Sequence, residues 1–364
     1  MVTASIIETR LRSLDFYRGL IMVLLMLEGA RLYDHLAELF PANFLIEQFF
    51  HHPWSGLRFW DLVQPAFMFI AGVSMAYSVH RQQHLGTSWH QSFIKMLTRS
   101  GWLFFWGVLN YAVRADGLSF ELWNVLTQLS VTLLIAFLIF NWSVGAQLGV
   151  SVGLLLVTEL LYRFTNIPGF DQPFTDQHNF GNYIDLLLMN KINSDGWVAI
   201  NCLPTAAHTI WGALVGKLLL QNLDGKLKLK YLLVAGFILL LVGYSLNAAG
   251  IPIIKRISTT TFVLVSGGWC LLLMALFYWW VDLKQHTHIA FFAIVGMNSI
   301  FIYLFFEIVG ARWFNEYVLQ IVEGVAELIH FPTAGAALLG SVVIFALEWG
   351  LCFFLYKKKI FFKL

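Results

Sequence analysis

Charge is scarce in this chain: of 364 residues only 12% are Asp, Glu, Lys or Arg, while 59% are hydrophobic. A soluble domain carries roughly a quarter of its residues charged, so this balance excludes an ordinary water-soluble globule. With a mean hydropathy of +0.71 the chain reads as a polytopic membrane protein. Cysteine is nearly missing too. Cys202, Cys270 and Cys352 each fall inside an apolar segment, which argues against a disulfide framework or a metal site, and they read as small core residues. The formal net charge is only +2 and the basic residues are scattered among apolar runs, so no nucleic-acid surface is expected. No short basic-then-apolar leader with a small-residue cleavage site opens the sequence, and the first apolar stretch, from Tyr17, is expected to be retained. P-loop, dinucleotide, HExxH and GxSxG patterns are missing. No internal repeat supports a repeat-swap transporter.

What the sequence does have is long apolar runs. Taking about 20 residues as the length that crosses the hydrocarbon layer, spans are expected near 17–39, 58–80, 93–114, 120–141, 143–163, 197–221, 229–249, 257–281, 288–311 and 335–356. The expected fold is therefore an all-α polytopic membrane protein, one domain over 1–364, with a bundle of about ten helices. Arg10, Arg12 and Arg18 flank the first span, Arg81, Lys95 and Arg99 the second connection, Lys217, Lys226, Lys228 and Lys230 the sixth, and Lys357, Lys358 and Lys359 close the chain. These basic groups fall on one side of an even number of spans, which puts both termini in the cytoplasm. Lys255 and Arg256 dissent. On this topology the connections near 40–57 and 164–196 share the non-cytoplasmic side. The longer one carries Asp171, Asp176, Asp185 and Asp195 and reads either as a solvated loop or as a cap over a cavity.

Ionisable groups inside such spans are costly and usually face a cavity or a partner. Asp15 and Arg18 lie three apart on one helix face. They read either as a helix-end carboxylate with a snorkelling arginine or as an anchor for an anionic ligand. Glu28 sits mid-span and is expected either to pair with Arg31 or to line a wet pocket. Asp61 opens the second span, where the macrodipole favours a carboxylate; near His51 or His52 it would also fix an imidazole tautomer. Pro53 and Gly56 suggest a tight turn that returns the two histidines over the helix end. His208 reads as a packing residue, the stretch from Pro252 to Leu264 as capping plus snorkelling, and Asn298 as an interhelical hydrogen-bonding amide near Tyr303 and Glu307.

Taken in order, "RLRSLDFYRG", "HHPWSGLRFWDLVQPAFMFIAGVS", "NVLTQLS", "LPT", "PIIKRISTTTFVLVSGGW" and "GMNSIFIY" resemble segments of the transmembrane acetyltransferases of the heparan-α-glucosaminide N-acetyltransferase family and their bacterial relatives. The resemblance runs along almost the whole chain. It implies a multi-pass enzyme of the bacterial inner membrane that takes acetyl from cytosolic acetyl-CoA and passes it to an amino sugar or glycan at the non-cytoplasmic face. It implies no metal, and a homodimer. Within the family's H-x-x-W-x-G pattern the essential histidine corresponds to His51; His52 occupies the next place and an exchange of roles stays open. His51 would act as general base or as transient acetyl carrier. Asp61 would orient it, Arg18 with Asp15 would meet the cofactor, Trp54 and Lys255 would contact substrate, and Asn298 would contact substrate or stabilise the developing oxyanion. The sequence departs from the family where a first-span Asn that assists catalysis coincides with Gly29, so that either the neighbouring Glu28 takes over that catalytic role or the site accepts something different, and where a Gln–Arg pair becomes Thr127–Gln128. An amino-sugar permease is the competing reading. A purely structural subunit is least favoured, since the loop histidines and Glu28 would then lack a reason.

Overall fold

In the computed structural model, residues 11–114, 117–286 and 288–362 are described; Arg10, one of the basic flanking residues, lies outside them. Helix accounts for 74% of the described residues. Among the described residues the only strands form a short antiparallel hairpin, Val113–Arg114 against Gly117–Leu118. The helices in chain order are α1 Arg12–Gly29, α2 Leu32–Leu39, α3 Phe44–Glu47, α4 Val63–His84, α5 Trp89–Ala112, α6 Val125–Leu138, α7 Val144–Phe164 and α8 Phe180–Met189. They continue with α9 Cys202–Leu220, α10 Gly225–Ala248, α11 Thr260–Phe277, α12 Ala290–Met297, α13 Ser299–Leu304, α14 Asn315–Leu328 and α15 Thr333–Lys357. Each of the ten expected segments carries helix. Among the described residues five helices are long and apolar enough to cross a membrane, or six if the bent stretch from α12 to α14 is one span. The chain is accordingly a helical, multi-pass membrane protein.

Several boundaries differ from expectation for local reasons. The first segment is two helices rather than one over 17–39, because α1 ends at Gly29 and Arg31 adopts a left-handed conformation, φ 60°. The fourth starts at Val125, not 120, because the Asn124 side chain caps it by accepting from the N–H groups of Leu126 and Thr127 at 3.1 and 3.0 Å. The ninth is broken at Asn298, passes through a π-helical stretch over Phe305–Phe314, and bends by 75°. The long connection 164–196 is not plain loop, since α8 lies within it.

Helices α4 and α9 form the centre of the bundle. A methyl group at Gly72 would overlap the Thr209 carbonyl, and one at Gly212 would overlap that of Phe69, so glycine permits the two backbones to touch. Burial separates inner from outer helices: 72% of the apolar window of α4 is buried, against 17% for α10. On the outer helices Val152, Leu156, Phe237, Leu241, Val342 and Leu347 stay exposed. That is the surface a hydrocarbon solvent would cover.

Candidate active site

The segment from Glu47 to Leu62 folds around one carboxylate. Asp61, only 1% exposed, accepts from the backbone N–H of Arg58 at 2.9 Å and of His52 at 3.3 Å through Oδ2. Those two bonds curl the HHPWSGLR turn so that its start lies over the entry to α4. Gly56, at φ 150°, leaves the space that the His52 ring fills. Through Oδ1, Asp61 meets His51 Nδ1 at 3.1 Å. The side chain of Arg58 donates to the His51 carbonyl at 3.2 Å and pairs with Glu47 at 3.4 Å.

A second loop, 250–258, brings a cation to the same point. The Pro252 carbonyl accepts from the hydroxyls of Thr259 and Thr261 at 2.8 and 2.6 Å, and Thr259 accepts from Ile254 N–H at 3.0 Å. The threonine run therefore closes the loop as well as capping α11. Lys255, 5% exposed, then places Nζ 2.9 Å from His51 Nδ1 and 3.7 Å from Asp61 Oδ1. Burial brings this ammonium down to a pKa of about 8, while Asp61 and Glu28 oppose a further fall. Burial also lowers the His51 pKa, the Lys255 charge adds to the effect, and the hydrogen bond to Asp61 works against it.

A third loop covers the other two. Trp54 Nε1 donates to the Phe174 carbonyl at 2.8 Å, Gly56 N–H donates to Ile253 at 2.8 Å, and the Arg256 guanidinium donates to the Asp195 carbonyl. Trp197, in this third segment, turns its ring edge-on to His51 at 5.5 Å and lies beneath the cations of Lys255 and Arg256 at 5.3 and 5.8 Å. The loops and the adjoining helix ends enclose a cavity of about 340 Å³. His51, Lys255 and Trp197 lie on one part of its wall; Glu28, Glu121 and Glu307, with Trp60, Trp123 and Tyr303, lie on the rest. Such a mixture of aromatic faces and a few carboxylates suits a polar, partly cationic molecule.

Of the residues singled out from sequence, His51, Lys255, Glu28, Tyr303, Glu307 and Asp195 line this cavity, and Asp61 supports it through its contact with His51. Arg31 pairs with Asp34 at 3.7 Å, and Glu28 instead accepts from Trp60 Nε1 at 3.2 Å while facing the cavity. Trp54, Asn298, Asp15 and Arg18 lie outside its lining. Trp54 clasps one loop to another instead of facing the cavity. Asn298 sits in the break between α12 and α13, where its amide donates to Ile360 and accepts from Phe362 N–H. The backbone polar groups that this break and the chain end expose explain that use of the amide. Asp15 and Arg18 lie on the first half of α1, away from Glu28, and Arg18 reaches Ser74 Oγ at 2.5 Å. Gln128, noted as a departure, supports the wall by accepting from Gln64 at 2.6 Å.

Sequence reasoning missed Trp123 and Trp197, and named Asp185 only as one of four aspartates in its connection. Asp185 is fully buried, accepts from Trp123 Nε1 and from Ala199 N–H at 2.9 Å each, and is raised by burial to a pKa of about 7. It fixes the Trp123 ring on the cavity wall. No spacing signal joins positions 123, 185 and 199, which meet only through the tertiary fold. Among the described residues no cluster of three or more His, Cys, Asp or Glu side chains is arranged to hold a metal ion. Comparison with protein-family models and with curated proteins gave no match to this chain.

Proposed function

We propose that the chain is a transmembrane acetyltransferase of the heparan-α-glucosaminide N-acetyltransferase type. It moves acetyl from cytosolic acetyl-CoA to an amino sugar or glycan on the non-cytoplasmic side of a bacterial plasma membrane. The observation that carries this reading is one imidazole at a cavity wall, braced at Nδ1 by a buried carboxylate and touched there by a buried ammonium. Oriented with Nε2 toward the cavity, His51 takes the proton of an attacking amine or hydroxyl as that nucleophile closes on the thioester carbonyl. The CoA thiolate then departs and is protonated. Asp61 holds the ring and stabilises its cationic form. Glu28 and Glu307 favour an acceptor bearing an ammonium group, and Trp60, Trp123 and Trp197 offer flat faces to a sugar ring.

The ten-span topology with both termini in the cytoplasm belongs to the same proposal. Four expected spans separate the His51 loop from the 164–196 connection and two separate that connection from the Lys255 loop, even numbers that agree with the three meeting at one end. A second cavity, of about 450 Å³, lies by the other end of α4 and is lined by His80, Gln83 and Lys217. Between Gln64 and His80 the helix rises about 24 Å. This pair of cavities also favours an amino-sugar permease as the second reading.

The two readings separate in one experiment. Purified protein in liposomes is given acetyl-CoA on one side and labelled amino sugar on the other. The enzyme releases free CoA thiol and acetylated sugar in equal amounts. Movement of unmodified sugar without thioester consumption supports the permease and refutes the transferase.

A further inference from the structure

His51 Nδ1 has two polar neighbours of opposite kind. Asp61 Oδ1, at 3.1 Å, only accepts; Lys255 Nζ, at 2.9 Å, donates when protonated. A neutral imidazole nitrogen carries either a hydrogen or a lone pair, so Nδ1 satisfies one of them and disappoints the other. With hydrogen on Nδ1 facing Asp61, the lone pair lies on Nε2 and the ring is a base toward the cavity. With Nδ1 bare and accepting from Lys255, the hydrogen sits on Nε2, and that nitrogen cannot take another proton.

We propose that Lys255 selects the tautomer of His51 and thereby switches its basicity toward the cavity, an inference that rests on the acetyl-transfer reading of this site. The ammonium is nearer to Nδ1 than to Asp61 Oδ1, 2.9 against 3.7 Å, so the resting arrangement joins Lys255 to Nδ1 and leaves hydrogen on Nε2. Asp61 tolerates this because Arg58 and His52 N–H groups engage its other oxygen. Activation moves protons without a co-reactant. The N–H bond on Lys255 breaks as one forms on His51 Nδ1, and the N–H bond on Nε2 breaks as its proton passes to cavity water. One proton leaves in total, Lys255 becomes a neutral amine, and Nε2 gains its lone pair. The charged groups around His51 are Asp61 from the 59–62 turn, Lys255 and Arg256 from the 250–258 loop, Arg58 with Glu47 behind it, and Glu28 on the cavity wall. Among these groups Lys255 combines contact with Nδ1 and a pKa of about 8, near neutrality. Lys255 is thus a positioning residue.

The test is ¹⁵N NMR of full-length protein in nanodiscs with labelled histidine, the His51 signal being identified among the 11 histidines by its loss in His51→Gln. In the wild type at pH 7 the expected pattern is hydrogen on Nε2 and a bare Nδ1, reversing as pH rises through about 8. Lys255→Met should show the reversed pattern at every pH above the His51 pKa. Lys255→Arg, which keeps its charge, should hold the resting pattern to pH 10. Acetyl transfer by the wild type should rise roughly tenfold per pH unit below that midpoint, and Lys255→Arg should lack the rise. A His51 pattern that is the same in wild type and Lys255→Met, or a wild-type pattern that does not change between pH 7 and 9, overturns the proposal. The wild-type titration needs no variant to fold. Reversal without any acetyl transfer would leave the tautomer switch standing and refute the transferase, so the two failures read differently.

Discussion

Replacing Asp61 by Asn keeps the shape of the side chain and removes its charge, and the consequences follow from four contacts. Oδ2 accepts from two backbone N–H groups at 2.9 and 3.3 Å, and Oδ1 faces His51 at 3.1 Å and Lys255 at 3.7 Å. Hydrogen bonds to a charged acceptor contribute about 1.5–3 kcal/mol and neutral ones about 1 kcal/mol. The two backbone bonds together therefore weaken by about 1–4 kcal/mol. Lys255 also loses its counter-charge while staying 5% exposed. Breaking a buried pair this way typically costs about 3–5 kcal/mol, but an ammonium that already titrates near 8 escapes part of it by releasing its proton. The expected net loss for Asp61→Asn is about 2–4 kcal/mol, read as denaturant or thermal unfolding in detergent by tryptophan fluorescence. Adding Lys255→Met removes the stranded charge, so the double variant should be less damaged than the sum of the singles by at least about 1 kcal/mol. Additive losses, or an Asp61→Asn protein within about 0.5 kcal/mol of wild type, would refute the description of Asp61 and Lys255 as a coupled buried pair.

Three further outcomes follow. Lys255 is depressed from 10.5 to about 8 in the folded chain, so between those values the unfolded chain binds more protons than the folded one. Stability should rise with pH across that window by about 3 kcal/mol, at about 1.4 kcal/mol per unit; Lys255→Met should abolish the rise in a pH series of unfolding curves. Asp185→Asn sets an amide donor against Trp123 Nε1 or Ala199 N–H, and should cost about 1–3 kcal/mol and change the tryptophan emission, whereas an unaltered spectrum would contradict the placement of Trp123. For topology, single cysteines placed at Pro53, Asp171 and Gly250 should react with an impermeant maleimide from outside intact cells, and those at Thr87 and Leu223 only after permeabilisation. The opposite pattern would overturn the proposed orientation.

Composition and hydropathy were enough to locate ten helical segments, because apolar length is a local property. Helix breaks were harder to read. The left-handed Arg31 and the gap at Asn298 depend on the partners that accept freed backbone groups, and neither residue signals a break by type. His51 and Asp61 were legible as a pair since ten residues and a Pro-Gly turn join them. From the residues themselves Lys255 stood out as a charge on the wrong side of the expected topology, and the family resemblance offered it as a substrate contact, not as a partner of His51. That dissent has a physical reason in the structure, because the lysine is turned inward against Asp61 and His51 and is not a loop charge. Trp54 and Asn298 look like site residues in sequence, yet both work as clasps, which side-chain type cannot reveal. Asp185 was named with the other aspartates of its connection but nothing in the sequence set it apart from them. Its burial arises only when α8 packs under the entry to α9.

Proton transfer by His51 is read out as release of CoA thiol by purified protein supplied with acetyl-CoA and an amino sugar. The wild type should consume thioester in proportion to acetylated sugar, and His51→Ala should lose about 10²–10⁴-fold in rate, the usual contribution of a general base, while still showing a cooperative unfolding transition. A His51→Ala protein that transfers acetyl at the wild-type rate would contradict the account, as would a folded wild type that never consumes the thioester.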